Sequence, residues 1–195
     1  MNSQNEGQKQ IQAGINLICW SKLARWDEGS RKFVALPEKK FEHFAKSVHP
    51  DYGRLICWVA FSVGAEYLAK GVCLAKQQLV GTYKPVYRTP PREGYSSVKQ
   101  WISDVLEGKK EEEELTFGTL GGKVSKCIDN VTADHPHRDI IRAGYKYLAN
   151  AIRNRDAHRY TQNVRAFHFH AVEKVFVPAF NALLTLVEEK GLSGF

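Results

Sequence analysis

The stretch AIRNRDAHRYTQ, residues 151–162, combines groups that can bind a phosphate and move a proton beside it. Arg153 carries a permanently charged guanidinium, whose paired N–H groups match phosphate oxygens. His158 titrates near neutral pH, so its imidazole can accept or donate a proton during a reaction. Asn154 lies four positions before His158 and can touch it on one helix face, and Asp156 could fix an arginine or orient the imidazole. These residue types at this spacing indicate a candidate catalytic site.

The apolar pattern of the preceding helix stops where this stretch begins. At helical spacing, the buried stripe comprises Ile141, Tyr145, Leu148 and Ile152. Its next two members would be Arg155 and Arg159, which do not belong in a core. The helix therefore ends or bends here, or this face meets a polar partner.

On a straight helix, Arg153 and His158 would lie about 140° apart, too far round to share one site. A distorted helix or a second copy of the chain could bring them together. The alternative is a solvated helix terminus, where basic residues simply complement the helix dipole.

The same stretch resembles a motif of the HEPN domain family, a group of all-α nucleotide-binding domains. IRNRDAHRY matches its R-x4-6-H pattern, with Asn154 following Arg153 as in many members. Tyr160 extends the match to R-x4-H-x-Y, the form found in toxins paired with a nucleotidyltransferase antitoxin. A second stretch, GAEYLAKGVCLA, is similar to the central helix of the family, with Glu66 at its acidic position. The resemblance covers residues 55–187.

This resemblance implies a metal-independent endoribonuclease that needs no cofactor. The 2′-hydroxyl of RNA would attack the adjacent phosphate, with Arg153 and His158 as the catalytic residues. Because one histidine cannot easily fill both proton roles, the two copies of a homodimer would each supply an Arg–His pair. The implied setting is a toxin–antitoxin or antiphage abortive-infection system, with a nucleotidyltransferase antitoxin as possible partner. In the toxin subgroup, the tyrosine equivalent to Tyr160 is nucleotidylated.

Several further residues are expected to support the site. Glu66 would accept a hydrogen bond from the motif helix, because a buried carboxylate needs such a partner. Basic side chains on and after the helix before the motif would guide the RNA backbone without choosing a sequence. These candidate RNA-binding residues are Arg138, Arg142, Lys146, Arg155 and Arg159. An ordinary solvated helix face has the same composition.

Two other functions fit the sequence. The first is a catalytically inactive HEPN module that binds nucleotide, RNA or a protein partner. The second is a helical interaction subunit whose basic face meets an acidic protein. The loop at 81–96 interleaves tyrosines with basic residues, so it could contact RNA or simply connect two helices.

Composition favours a single domain spanning residues 1–195, with residues 81–96 as a loop insertion. The formal net charge of +7 favours a phosphate-bearing partner. The four cysteines lie far apart, which indicates buried reduced thiols rather than a metal or redox site. No apolar run is expected to reach the length of a membrane span, so a cytoplasmic protein without membrane contact is predicted.

The periodicity predicts an all-α fold. Helices are expected at 8–26, 37–48, 53–80, 136–154 and 163–190, the last bent at Pro178. No alternating pattern typical of a strand is evident. We therefore expect an antiparallel, HEPN-like bundle of four to five main helices with a central basic loop.

Overall fold

The computed structural model describes residues 3–76, 128–148 and 166–188. About three quarters of these residues are helical, so the mostly helical class is confirmed. In chain order, the elements are α1 (Ser3–Trp20), β1 (Ala24–Asp27), β2 (Lys32–Ala35), α2 (Glu38–Val48), α3 (Gly53–Ala75), α4 (Arg138–Tyr147), α5 (Ala166–Ala171), a π-helical turn (Val172–Phe176) and α6 (Val177–Glu188).

Helices α1 and α3 pack antiparallel at unusually close range because glycines face each other across the contact. Gly7 lies against Gly71, and Gly14 lies against Gly64, so each helix carries its pair seven residues apart. A Cβ atom on Gly64 would stand 2.9 Å from the carbonyl oxygen of Gly14 and from the backbone nitrogen of Ile18. Such distances leave no room for a side chain. The close approach buries Ile11, Ile15 and Ile18 completely or nearly so.

The first helix ends six residues earlier than predicted, and the prediction of no strands is wrong. Ser21 terminates the helix, because its hydroxyl donates to the carbonyl of Ile18 and accepts the N–H of Leu23. Lys22 then adopts a positive φ of 58°, which an α-helix cannot accommodate. Strands β1 and β2 follow as an antiparallel hairpin, with Ala24 opposite Ala35 and Trp26 opposite Phe33.

The hairpin is held against the last helix by one side chain. The Oδ1 atom of Asn181 accepts the N–H of Phe33 at 2.7 Å, and its Nδ2 atom donates to the carbonyl of Phe33 at 3.0 Å. The carboxamide thus pairs with the free edge of β2 as a neighbouring strand would. The buried ring of Phe33 packs edge-on against Phe180.

Helix α2 packs across the N-terminal half of α3. Phe41 contacts Trp58, and Arg54 forms two hydrogen bonds to the carboxylate of Glu42. Gly53 lies against the carbonyl of Ala45, so the first residue of α3 has no space for a Cβ atom. These contacts fix the start of α3, which is buried along most of its length.

Helix α4 runs antiparallel to the last helical stretch. His135, just before α4, approaches Thr185 at 3.0 Å, whereas Tyr147 at its other end stacks on Phe176. Between them, Gly144 faces Ala179, where a Cβ atom would stand 2.5 Å from that of Ala179. Helix α4 therefore packs along the last helical stretch from Thr185 back to Phe176.

Residues 166–188 form one continuous helical stretch with a π turn inside it. The N–H of Val177 donates to the carbonyl of Val172, five residues earlier. A proline has no N–H, and its ring clashes with the carbonyl four residues before it in an α-helix. The irregularity predicted at Pro178 thus lies just before it, where the wider turn precedes the proline.

Two described helical stretches, Gly53–Ala75 and Phe169–Val187, are long and apolar enough to cross a bilayer, judged by length and composition alone. The prediction that no run approaches this length is therefore wrong. In each case, 61% of the most apolar window is buried inside the protein. A helix at the centre of a protein core meets the same criterion.

Candidate functional site

The residues of the predicted catalytic motif lie outside the described part of the chain. This applies to Arg153, Asn154, Arg155, Asp156, His158, Arg159 and Tyr160, and also to the loop at 81–96. Their proposed roles remain predictions. The structure does describe the helices on both sides of the motif, together with Glu66, Arg138, Arg142 and Lys146.

Both helices that flank the motif are anchored in the aromatic core. On the N-terminal side, Leu148 is fully buried, and the ring of Tyr147 stacks on Phe176 at 5.5 Å. On the C-terminal side, Phe169 contacts Phe41 of α2 at 5.6 Å. The ring of Phe176 in turn contacts Phe61 of α3. The described chain on each side of the motif is therefore anchored beside α2 and α3.

Glu66 lies in the middle of α3, and its side chain is only 8% exposed. Its carboxylate forms an ion pair with Lys70, one turn later, at 2.6 Å between Oε1 and Nζ. An ammonium at this distance provides the charged partner that a buried carboxylate requires. The predicted hydrogen bond from the motif to Glu66 lies outside the described residues and stays a prediction.

A direct contact joins α4 to α3 one residue before Glu66. The hydroxyl of Tyr145 donates to the carbonyl of Ala65 at 3.2 Å. Burial raises the pKa of Tyr145 well above its usual value, because the phenolate would be deprived of water. The tyrosine stays protonated and keeps the helix that leads into the motif against the helix that carries Glu66.

Three of the candidate RNA-binding residues, Arg138, Arg142 and Lys146, form a basic stripe along α4. They differ in whether an acidic side chain pairs with their charge. Lys146 is exposed and has no ion pair among the described residues. Arg142 donates from Nε to the carboxylate of Asp129 at 2.8 Å, so part of its charge is already neutralised. The Nε atom of Arg138 is buried and has no hydrogen-bond partner among the residues that the structure describes. Lys146, the member nearest to the motif along the chain, is thus the best placed to contact a phosphate.

An open cleft of about 430 Å³ lies between β2 with the residues that follow it on one side and α5 with the π-helical turn on the other. Its walls combine apolar groups with two carboxylates and one imidazole. The lining residues are Val34, Ala35, Leu36, Pro37, Glu38, Phe169, His170 and Glu173. The cleft could not be predicted from the sequence, because no local pattern indicated the hairpin that forms one wall.

The thiols of the described region agree with the expectation of reduced cysteines. Cys57 and Cys73 are buried reduced thiols, and Cys19 is a half-buried reduced thiol. Burial raises the pKa of Cys57 to about 11, so its thiol is protonated at neutral pH. The sulfur of Cys19 accepts the N–H of Trp26 at 3.1 Å, which joins α1 to β1. These cysteine side chains contribute to the packing and stability of the fold.

Comparison with known proteins gives no match: neither a family model, nor a curated protein, nor a solved structure is significantly similar to the chain.

Proposed function

We propose that the chain is a metal-independent endoribonuclease of the HEPN type that acts as a homodimer in the cytoplasm. One observation carries the proposal: Arg153, His158 and Tyr160 stand at R-x4-H-x-Y spacing between helices that are both anchored in the aromatic core. A site that orients RNA for cleavage needs such a rigid support. A role as toxin or antiphage abortive-infection effector follows from the family resemblance.

The proposed reaction needs two proton transfers and one site of positive charge. The 2′-oxygen attacks the phosphorus, and the bond from phosphorus to the 5′-oxygen breaks, which leaves a 2′,3′-cyclic phosphate and a 5′-hydroxyl. His158 of one protomer takes the proton of the 2′-hydroxyl, and His158 of the other donates a proton to the leaving oxygen. The guanidinium of Arg153 stabilises the charge that builds up on the phosphate oxygens. Every atom and proton is accounted for without a metal ion.

The surrounding residues support this proposal through position and charge. The Glu66–Lys70 pair lies on the helix to which Tyr145 ties α4. Lys146 and Arg142 lie on the exposed side of α4, where they would attract the phosphate backbone towards the motif. Arg155 and Arg159 would add contacts within the motif itself.

The partner of the proposed toxin is an antitoxin of the nucleotidyltransferase type. Attack of the Tyr160 hydroxyl on the α-phosphate of a nucleoside triphosphate would release pyrophosphate and the hydroxyl proton. The nucleotide bound to the tyrosine oxygen would add bulk and negative charge two residues from His158, and so would block the site. Mass spectrometry of the chain after co-expression with its neighbouring gene would detect the added nucleotide on the peptide that contains Tyr160.

The central experiment is incubation of the purified protein with single-stranded RNA in EDTA. We expect cleavage by the wild type and its loss in His158→Ala and in Arg153→Ala. The matched controls are His43→Ala and Arg25→Ala, which change exposed residues far along the chain from the motif and should leave activity unchanged. Circular dichroism verifies that the helicity of each variant is intact.

Persistent cleavage by either motif variant would remove that residue from the mechanism. RNA binding without cleavage by the wild type would instead favour an inactive binding module. The dimer is tested separately, because a site shared by two chains loses specific activity when the protein is diluted below its dissociation constant. Constant specific activity of a species that sediments as a monomer would contradict the shared site.

A further inference from the structure

Trp20 presents a large aromatic surface to solvent at the end of α1. Its side chain is 44% exposed, although the helix buries Ile11, Ile15 and Ile18. Residue 20 lies about 200° from residue 18 on a helical wheel and therefore points away from α3. Because the helix ends immediately afterwards at Ser21, nothing in the next turn covers the indole.

A second ring holds the indole in place. Phe44 of α2 lies 5.7 Å from Trp20, measured between ring centroids, with the two planes at 86°. Phe44 itself is half-buried against the core, so its position is fixed. An edge-to-face contact of this kind restricts the orientation of the indole while much of its surface stays open.

Two lysines flank this aromatic pair. The Nζ atom of Lys22 lies 5.8 Å from the centre of the Phe44 ring. Lys40 lies one turn before Phe44 on the same side of α2 and is exposed. Neither lysine has an ion pair within residues 3–76, 128–148 and 166–188. We name Trp20, Lys22, Lys40 and Phe44 the aromatic–lysine patch.

The aromatic–lysine patch lies at the same end of the molecule as the helices that flank the motif. Phe41, three residues before Phe44 on α2, contacts Phe169 at 5.6 Å. Phe169 lies three residues after Ala166, where the described chain resumes beyond the motif. The aromatic–lysine patch is therefore connected through one aromatic contact to the helix that follows the motif in the sequence.

We propose that the aromatic–lysine patch binds single-stranded RNA, with Trp20 stacking on an unpaired base and Lys22 and Lys40 contacting phosphates. An exposed aromatic ring beside lysines that have no ion pair among the described residues suits single-stranded nucleic acids. Every base has a face that can stack on the ring, and every phosphodiester linkage carries a negative charge. A duplex offers no free base face, so the patch selects single strands. The inference rests on the proposed function and specifies its substrate class.

The test measures binding of a single-stranded 2′-O-methyl RNA oligonucleotide to the full chain, because this probe lacks the hydroxyl needed for cleavage. We expect Trp20→Ala to weaken binding about 5- to 100-fold without changing its salt dependence. Trp20→Phe should retain most of the affinity. Lys22→Gln and Lys40→Gln should each lower the slope of log K against log salt by about 0.7.

The control is Ile56→Ala, which removes a side chain of similar exposure, 39%, from another surface and should bind as the wild type does. Trp20→Leu keeps an apolar side chain without the aromatic face, so it carries the test if Trp20→Ala fails to fold. Binding of a 2′-O-methyl duplex should be the same for the wild type, Trp20→Ala and Trp20→Leu.

Unchanged single-strand affinity in folded Trp20→Ala and Trp20→Leu, or an equal loss for the duplex, would overturn the inference. Absence of any single-strand binding by the wild type would overturn it too. The nuclease proposal is tested by a different experiment. If the wild type binds the probe through Trp20 but does not cleave ordinary RNA, the stacking surface is supported and the nuclease activity is contradicted.

Discussion

Asn181 shows how a single polar residue can complete the edge of a sheet. Its carboxamide satisfies both the N–H and the carbonyl of Phe33, which would otherwise be unpaired and half-buried. An unpaired buried backbone group costs about as much as a lost hydrogen bond. The hairpin therefore depends on one side chain from an element far along the sequence.

We predict that Asn181→Ala lowers the free energy of unfolding by about 1–3 kcal/mol, because two backbone groups lose their partner. Asn181→Asp should also be destabilising, since a carboxylate cannot donate to the carbonyl of Phe33. Urea unfolding of both variants measures the effect. The control is Asn16→Ala on the exposed side of α1, expected within about 0.5 kcal/mol of the wild type. A similarly small change for both Asn181 variants would contradict the bridging role.

Single residues were unevenly predictable from the sequence. Glu66 was marked both by its match to the acidic position of the family's central helix and by its place in an apolar helix, where a carboxylate needs a partner. Asn181 gave no such signal, because a lone amide in a helix usually faces solvent. Its partner Phe33 is 148 residues away, and no local pattern encodes that pairing. The motif from Arg153 to Tyr160 was visible as spacing and chemistry, and its geometry stays a prediction.

Between the described elements, the most extensive contact is that of α1 with α3. The two helices approach so closely that the backbone of each one occupies the position where the other would carry a Cβ atom. The contact brings the isoleucines of α1 onto α3. Small residues at this interface therefore determine how much apolar surface the pair buries.

We predict that Gly64→Ala destabilises the protein by about 1–3 kcal/mol despite the higher helix propensity of alanine. The new methyl group would meet backbone atoms of Gly14 and Ile18, which cannot rotate away. The control is Gly29→Ala in the hairpin turn, where the nearest atom, from Asp27, is 3.9 Å from the added Cβ. Thermal unfolding compares the two, and equal melting temperatures would contradict the close-packing argument.

Long elements were predictable, and short ones were not. The i, i+4, i+7 spacing of Ile11, Ile15 and Ile18 indicated α1 correctly, because a continuous buried face needs that period. Its end was misplaced, since the termination depends on the side-chain hydrogen bonds of Ser21 and on the positive φ of Lys22. Strands of four residues are too short to show alternation. The tertiary contact of Phe33 with Asn181 stabilises them.

At the scale of the whole molecule, the excess of basic residues attracts RNA by long-range electrostatic interaction. The net charge of +7 attracts a polyanion, but only cations without an acidic partner release counterions when RNA binds. Within residues 3–76, 128–148 and 166–188, Lys146 has no acidic partner, whereas Arg142 is paired with Asp129. Residues of the same stripe should therefore contribute unequally.

We predict that Lys146→Gln lowers the slope of log K against log salt for single-stranded RNA by about 0.7, and that Arg142→Gln lowers it by less. Titration with the 2′-O-methyl oligonucleotide at several salt concentrations measures both slopes. Lys9→Gln, at the opposite end of the chain and beside Glu6, serves as the control with an unchanged slope. Equal slopes for the wild type and Lys146→Gln would rule out the guiding role of this side chain.

The order of synthesis gives the Asn181 bridge one more consequence. While the ribosome is still adding the middle of the chain, the hairpin has already emerged with the outer edge of Phe33 bare, and such an edge can recruit a neighbouring polypeptide. Only when residue 181 has been made, fourteen positions before the last residue of the sequence, can the chain cover that edge itself. A chain truncated shortly before residue 181 would leave the edge of β2 at Phe33 unpaired, and such a product should aggregate.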